Sequence, residues 1–219
     1  MALRYILKEN DPGLLKKSRV VNDFNKRLHT LLDDMRETLM DANGLGLAAP
    51  QVGVLRRVIL IVDTTIEVGD GDSQECITEK VPSKEASSKE RASQKDATKK
   101  DDSKEDAFPE NQIVELINPE IIAKSGTQSG SEGCLSLPGI YGLVVRPDIV
   151  KVKAPDRNGN AFEIWGQGLT ARALCHEIDH LNGVIFTSIA ERLLTEDEID
   201  KIAEERALEA EENKTGETV

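Results

Sequence analysis

His176-Glu177-Ile178-Asp179-His180 constrains this chain more than any other stretch of it. Two histidines four apart, with a glutamate beside the first, form a metal-ligating arrangement when they lie on a helix. At 3.6 residues per turn, positions 176 and 180 stand one above the other, so both imidazoles reach a single ion. Only 3 histidines occur in the chain, and this motif uses two of them. Two ligands leave a site incomplete, so the fold has to bring another side chain to that helix face. A structural zinc centre would need two more ligands and would close around the ion. A catalytic centre needs one more and keeps a position open for water.

A third histidine six residues beyond His180, as in one class of zinc proteases, is absent, because position 186 is Phe186 although Gly183 fits that pattern. Glu204 or Glu205 on a downstream helix is a second option, in a tail crowded with acids. Cys134 is the better candidate. It sits in Glu132-Gly133-Cys134-Leu135-Ser136-Leu137-Pro138, where flanking glycine and proline imply a shaped turn with backbone lying close to something.

Three segments, Gly44-Leu45-Gly46-Leu47-Ala48-Ala49-Pro50-Gln51, Glu132 to Ser136, and His176 to His180, together resemble the peptide deformylase family, in its motif order. The resemblance runs from about residue 3 to about residue 194, with a charged interruption at about 64–112, and fits the class I bacterial form. It implies an α+β fold in which antiparallel sheets pack around a central metal-binding helix, with a C-terminal helix. It also implies hydrolysis of the N-formyl group from the N-terminal formyl-methionine of newly made polypeptides, with release of formate. One divalent metal ion per chain follows. Zn2+ would satisfy the ligand types and the Irving–Williams order favours it over ferrous iron. The resemblance implies Fe2+ natively, with Zn2+, Ni2+ or Co2+ in some preparations.

At 219 residues and 38% hydrophobic content, the chain can bury the core of one ordinary domain. We read one catalytic domain over 1–194 and an acidic helix and tail over 195–219. The net charge of -12 argues against direct nucleic-acid contact or an anionic membrane, since both select basic patches. From Glu191 onward there are 11 acids against 4 bases, so most of the excess charge is local to the tail. Such a tail suits ribosomal RNA poorly, and transient ribosome association would need a basic protein partner. Cys76, Cys134 and Cys175 cannot all pair, and nothing at the amino terminus joins a basic stretch to an apolar run. No apolar run approaches the ~20 residues of a membrane-spanning helix. The expectation is a reduced, cytoplasmic protein of bacterial type.

From Asn22, read as a cap, apolar residues at Phe24, Leu28, Leu31, Leu32, Met35 and Leu39 predict a helix that ends at Asn43-Gly44. The β-branched run from Arg57 to Asp63 predicts a buried strand. Glu79 to Asp106 holds 8 acids and 8 bases without an aromatic residue, which reads as a solvated, mobile insertion with too little apolar surface to offset its ordering entropy. Ile113 to Asn118 and Glu120 to Lys124 predict short strands broken by Pro119. Leu143 to Lys153 and Ala161 to Leu169 predict strands joined through Asn158-Gly159. Thr170 is expected to cap the motif helix and Asn182-Gly183 to end it. A last helix is expected to open at Thr195 with Glu198 as its capping-box partner, running through Ile199, Ile202, Ala203 and Ala207.

A thiolate and two imidazoles make a tetrahedral shell with one position free for water, whose pKa a Lewis-acidic ion lowers towards ~7. Glu177 points about 100° around the helix from His176, so it is read as the general base and then the acid to the leaving amine. By resemblance, Gln51 and the backbone N–H of Leu135 stabilise the oxyanion, each such donor being worth roughly 3 kcal/mol. Gly44 and Gly46 would let an extended peptide approach closely. Leu169 and Ala173 share a face with His176 and, with Leu45, are candidates for the methionine pocket. Glu132 is read as orienting the cysteine turn by pairing with a base such as Arg146. Cys175 stands where the family usually has glutamine and faces away from the ligand side. His29 takes a surface or packing role. The competing readings are a zinc metalloprotease of HExxH type and a catalytically silent peptide-binding relative.

Overall fold

The computed structural model describes residues 2–63, 113–195 and 197–202; the insertion read over 64–112, with Cys76, and the tail with Ala203, Glu204, Glu205 and Ala207 lie outside the described residues. Helix α1 spans Lys26–Asp41. Its cap is Asn25, not Asn22. The Asn25 side chain accepts from the N–H groups of Arg27 and Leu28 at 3.0 and 3.3 Å, which satisfies two otherwise unpaired donors of the first turn. Phe24 therefore precedes the helix. The apolar stripe predicted from Leu28 to Leu39 is buried, and Asn43 ends the element with φ 48°.

Strand β1 (Gly46–Ala48) leads into a 3₁₀ turn over Ala49–Val52, followed by β2 (Val58–Val62) and β3 (Ile113–Ile117). These three strands form one antiparallel sheet with β2 in the middle. Alternation along β2 explains its unbroken apolar run. Val58, Leu60 and Val62 pack with α1, whereas Ile59 and Ile61 face the opposite core. Each fully buried side chain of this kind contributes about 1.5–3 kcal/mol.

The chain leaves this sheet at Asn118, whose φ of 49° is tolerated because its side chain brackets Val21, accepting from the N–H at 2.8 Å and donating to the carbonyl at 2.9 Å. Beyond it lie β4 (Glu120–Ser125), β5 (Gln128–Cys134), β6 (Leu137–Arg146), β7 (Ile149–Pro155), β8 (Ala161–Gln167) and, after the motif helix, β9 (Arg192–Leu193). They form two further antiparallel sheets, β4-β7-β8 and β5-β6-β9. The single strand expected over Leu143 to Lys153 is in fact two. Pro147 removes a backbone donor there, and the chain crosses from β6 in one sheet to β7 in another. The turn expected in the stretch around Cys134 falls at Leu135 and Ser136, between the end of β5 at Cys134 and the start of β6.

Helix α2 spans Leu169–Leu181 and is the core of the molecule. Ala171, Leu174, Cys175, Ile178 and Leu181 pack against Ile59 and Ile61 of β2 and against Val150, Val152 and Ala154 of β7. Its cap is Gly168 rather than Thr170. Gly168 has φ 56°, which a glycine adopts without steric cost, and Thr170 lies buried inside the first turn. Residues 197–202 are helical, and Glu198 accepts from the Thr195 N–H at 3.0 Å as the capping box requires.

Candidate metal centre and active site

The four-residue spacing on α2 puts Arg172, His176 and His180 on one face, away from its apolar side. The Nδ1 of His176 lies 2.9 Å from a Glu132 carboxylate oxygen, which fixes the ring and leaves Nε2 free. His180 turns Nε2 towards Cys134, 3.2 Å from the sulfur. The two rings stand edge to face, 4.9 Å apart. Cys134 arrives from β5, where the pairing register with β6 shifts between Gly133 and Cys134. An irregularity of that kind re-aims a side chain. One atom each from Cys134, His176 and His180 lie within 4.8 Å of one another and could hold a metal ion. The donor set of one thiolate and two imidazoles suits a divalent transition metal.

Charge supports the same reading. Burial opposes ionisation of Glu132, but hydrogen bonds from His176 and Arg146 overcome it and hold the carboxyl down at about 2. Burial alone would lower His176, yet Cys134 and Glu132 raise it to about 10. His180 is driven down to about 3 by burial and by the charge of His176, which keeps it neutral. Burial pushes Glu177 up to about 7, against the charge of His176 and helped by that of Glu132. Glu177 Oε2 and His180 Nδ1 are buried without a hydrogen-bond partner.

Gln51, 1% exposed, comes from the 3₁₀ turn. Its carbonyl oxygen accepts from the Ala48 N–H at 2.8 Å, and its Nε2 donates to Cys134 Sγ at 3.4 Å and Ser136 Oγ at 3.3 Å. It both ties its loop and points an amide at the Cys134 sulfur. A cavity of about 630 Å³ opens over the centre, and Leu45, Leu135, Leu169, Ala173, His176 and Glu177 line it. Gly44 and Gly46 also contribute to the wall, and their missing side chains make room for neighbouring side chains of the protein as well. A Cβ on Gly46 would fall 2.7 Å from Glu177 Cγ, and one on Gly44 would fall 2.8 Å from Leu135 Cδ1.

Arg146 grips Glu132 through Nε at 2.8 Å and Nη2 at 3.0 Å, and its Nη1 donates to Asp179 at 2.6 Å. Arg172, Asp179 and Ser136 were missed by the sequence reading, as was Lys8, whose Nζ donates to the Leu135 carbonyl at 3.2 Å. Arg172 carried a usable signal, since it stands one helical turn before His176. Lys8 carried none, being 127 residues from its partner. Phe186 is buried with its ring 6.0 Å from that of His176, so it packs the wall where the protease pattern wanted a ligand.

A model of the family described as polypeptide deformylase matches residues 3–195. The chain belongs to the polypeptide deformylase family. A peptide deformylase of Alkaliphilus metalliredigens is 46% identical over 187 residues, covering 85% of this chain and 96% of the relative. The crystal structure of a peptide deformylase from Legionella pneumophila matches with a TM-score of 0.63 at 35% identity, covering 94% of this chain and 98% of that one. A Met-Ala-Ser-bound class I type b peptide deformylase from Acinetobacter baumannii matches with a TM-score of 0.61 at 30% identity, covering 86% and 98%. As a deformylase the chain is a hydrolase that removes the formyl group from the N-terminal methionine of nascent peptides, and its family is metal-dependent. Among the described residues no helix is long and apolar enough to cross a membrane.

Proposed function

We propose that Glu177 is the general base of deformylation and that Cys134, His176 and His180 hold one divalent metal ion, Fe2+ in the cell. When bound, that ion supplies Lewis acidity to the attacking water and to the formyl group. The observation that carries the reading is the orphaned Glu177 Oε2, buried on the cavity wall beside the ligand set. A carboxylate pushed up to about 7 matches a base working near neutral pH. Glu177 takes the proton of the attacking water and passes it to the nitrogen of the leaving methionine. The Gln51 amide and the Leu135 N–H donate to the oxyanion that develops on the formyl group. Glu132, held by Arg146, keeps His176 in the tautomer that ligation needs. Leu45, Leu169 and Ala173 receive the methionine side chain, with the peptide continuing past Gly44 and Gly46 as a Met-Ala-Ser peptide would.

We read residues 1–194 as one catalytic domain interrupted at 64–112. Direct antiparallel pairing of β2 with β3 across that interval supports the reading. A cytoplasmic location and brief association with the ribosome follow from action on emerging chains, with no nucleic-acid or membrane contact. The test is Glu177→Ala in protein of known metal content. Turnover of a formyl-methionyl peptide should fall about 10²–10⁴-fold while metal stays bound; turnover at the parental rate contradicts the assignment of the base.

A further inference from the structure

We propose that Arg172 is a positioning residue of the metal centre, whose planar fork sets the strand carrying Cys134 in register with the helix carrying His176 and His180. The inference rests on reading those three residues as ligands.

Arg172 is 6% exposed and projects from α2 onto β5 and β6. Its Nη1 donates to Glu132 Oε1 at 2.9 Å, to the Val144 carbonyl at 3.0 Å and to the Gly130 carbonyl at 3.3 Å. Its Nη2 donates to Gln128 Oε1 at 3.3 Å. Gln128, Gly130 and Glu132 are alternate residues of β5 on the approach to Cys134, and Val144 is the β6 partner of Gly130. A side chain at position 130 would crowd the guanidinium, since a Cβ there would fall 3.1 Å from Nη2. Glu132 passes the constraint on, because its other oxygen holds His176 Nδ1 at 2.9 Å. Arg146 grips the same carboxylate from β6. Arg172 ties α2 to the main chain of both strands and to the carboxylate at once.

Charge and geometry predict opposite signs when Arg172 is changed. Removing a positive charge beside a cation site strengthens cation binding by Coulomb's law. Loosening the strand that delivers the thiolate weakens it, and lost outer partners typically cost 10–100-fold in metal affinity. Lysine keeps the charge but lacks the fork that meets several acceptors together.

The full chain loaded with Co2+ separates these readings, with the thiolate-to-cobalt absorption band reporting the Cys134 bond and a chelator reporting the rate of metal release. A parent protein without that band contradicts the ligand assignment itself, and this inference falls with it. Given the band, Arg172→Lys and Arg172→Met should both release metal roughly 10–100-fold faster. Release unchanged in Arg172→Lys, or slower in Arg172→Met, overturns the positioning role while leaving the ligands in place. Should neither variant fold, Gln128→Leu replaces them, since it removes the amide bracing the same guanidinium. Faster release then supports the role, and unchanged release overturns it.

Discussion

Two carboxylates in this molecule are each shared by two arginines, and they behave differently. Glu115 on β3 meets Arg157 at 2.6 and 2.8 Å and Arg36 at 3.0 Å, and Arg157 continues to Asp33 at 2.9 Å. That network joins α1, β3 and the β7–β8 turn near the surface, with Arg157 33% exposed. Glu132 meets Arg146 and Arg172 in the interior, but a histidine shares the carboxylate, and a cavity opens beside it. The buried atoms left unpartnered near Glu132, Glu177 Oε2 and His180 Nδ1, have no counterpart around Glu115 among the described residues. Density of charge therefore does not mark the active centre. A buried, unpartnered carboxylate oxygen on the cavity wall does, as at Glu177, whereas Ser18 Oγ, also buried without a partner, lines no part of that cavity.

The largest effect should come from Glu177→Ala, with turnover falling about 10²–10⁴-fold in steady-state assays while metal content stays at the parental level. Gln51→Leu should lower kcat about 10²–10³-fold with a much smaller change in KM; an effect on KM alone would mean that the amide serves binding and not the developing charge. On the other side of the comparison, Glu115→Gln should leave kcat/KM within twofold and cost about 1–2 kcal/mol of stability, the partners' exposure holding the figure down. That corresponds to a fall in Tm of about 2–8 °C. A large loss of activity from this substitution would erase the distinction between the two networks.

The smallest effect is in pH dependence. Burial opposes ionisation of Glu115, but hydrogen bonds from Arg157 and Arg36 prevail, so its pKa lies below the ordinary 4.5. A carboxyl depressed in the folded state contributes stability that is complete above its unfolded pKa and is lost as pH falls through the folded one. The stability gap between the parent and Glu115→Gln should thus be widest at neutral pH and narrow below 4.5 in denaturant titrations. A gap that stayed constant across this range would contradict the pairing.

Much of this arrangement was readable in the residues. The i, i+4 histidines, the branched run of β2 and the Asn158-Gly159 turn are local signals, and each reports on a few neighbours in the chain. What escaped was non-local or a contest between similar candidates. Asn22 has the right side chain for a cap, but it is the Asn25 side chain, three residues on, that meets the Arg27 and Leu28 N–H groups. Arg146-Pro147-Asp148 interrupts the apolar run and splits β6 from β7, but the strand-like residues on either side do not by themselves say that they belong to different sheets. The glycines of the first motif suggest space for substrate, and the packing of Glu177 and Leu135 against them is a further, tertiary fact that the motif does not show. Glu132 could be guessed to need a base, but its second arginine required the fold to bring α2 onto β5.

Release of formate from formyl-Met-Ala-Ser is the most direct test, using anaerobically purified protein reconstituted separately with Fe2+, Ni2+ and Zn2+. The account predicts rapid release with iron or nickel, abolished by chelation and slowed about 10²–10⁴-fold by Glu177→Ala. No release with any of the three metals, each confirmed to be bound, would contradict it.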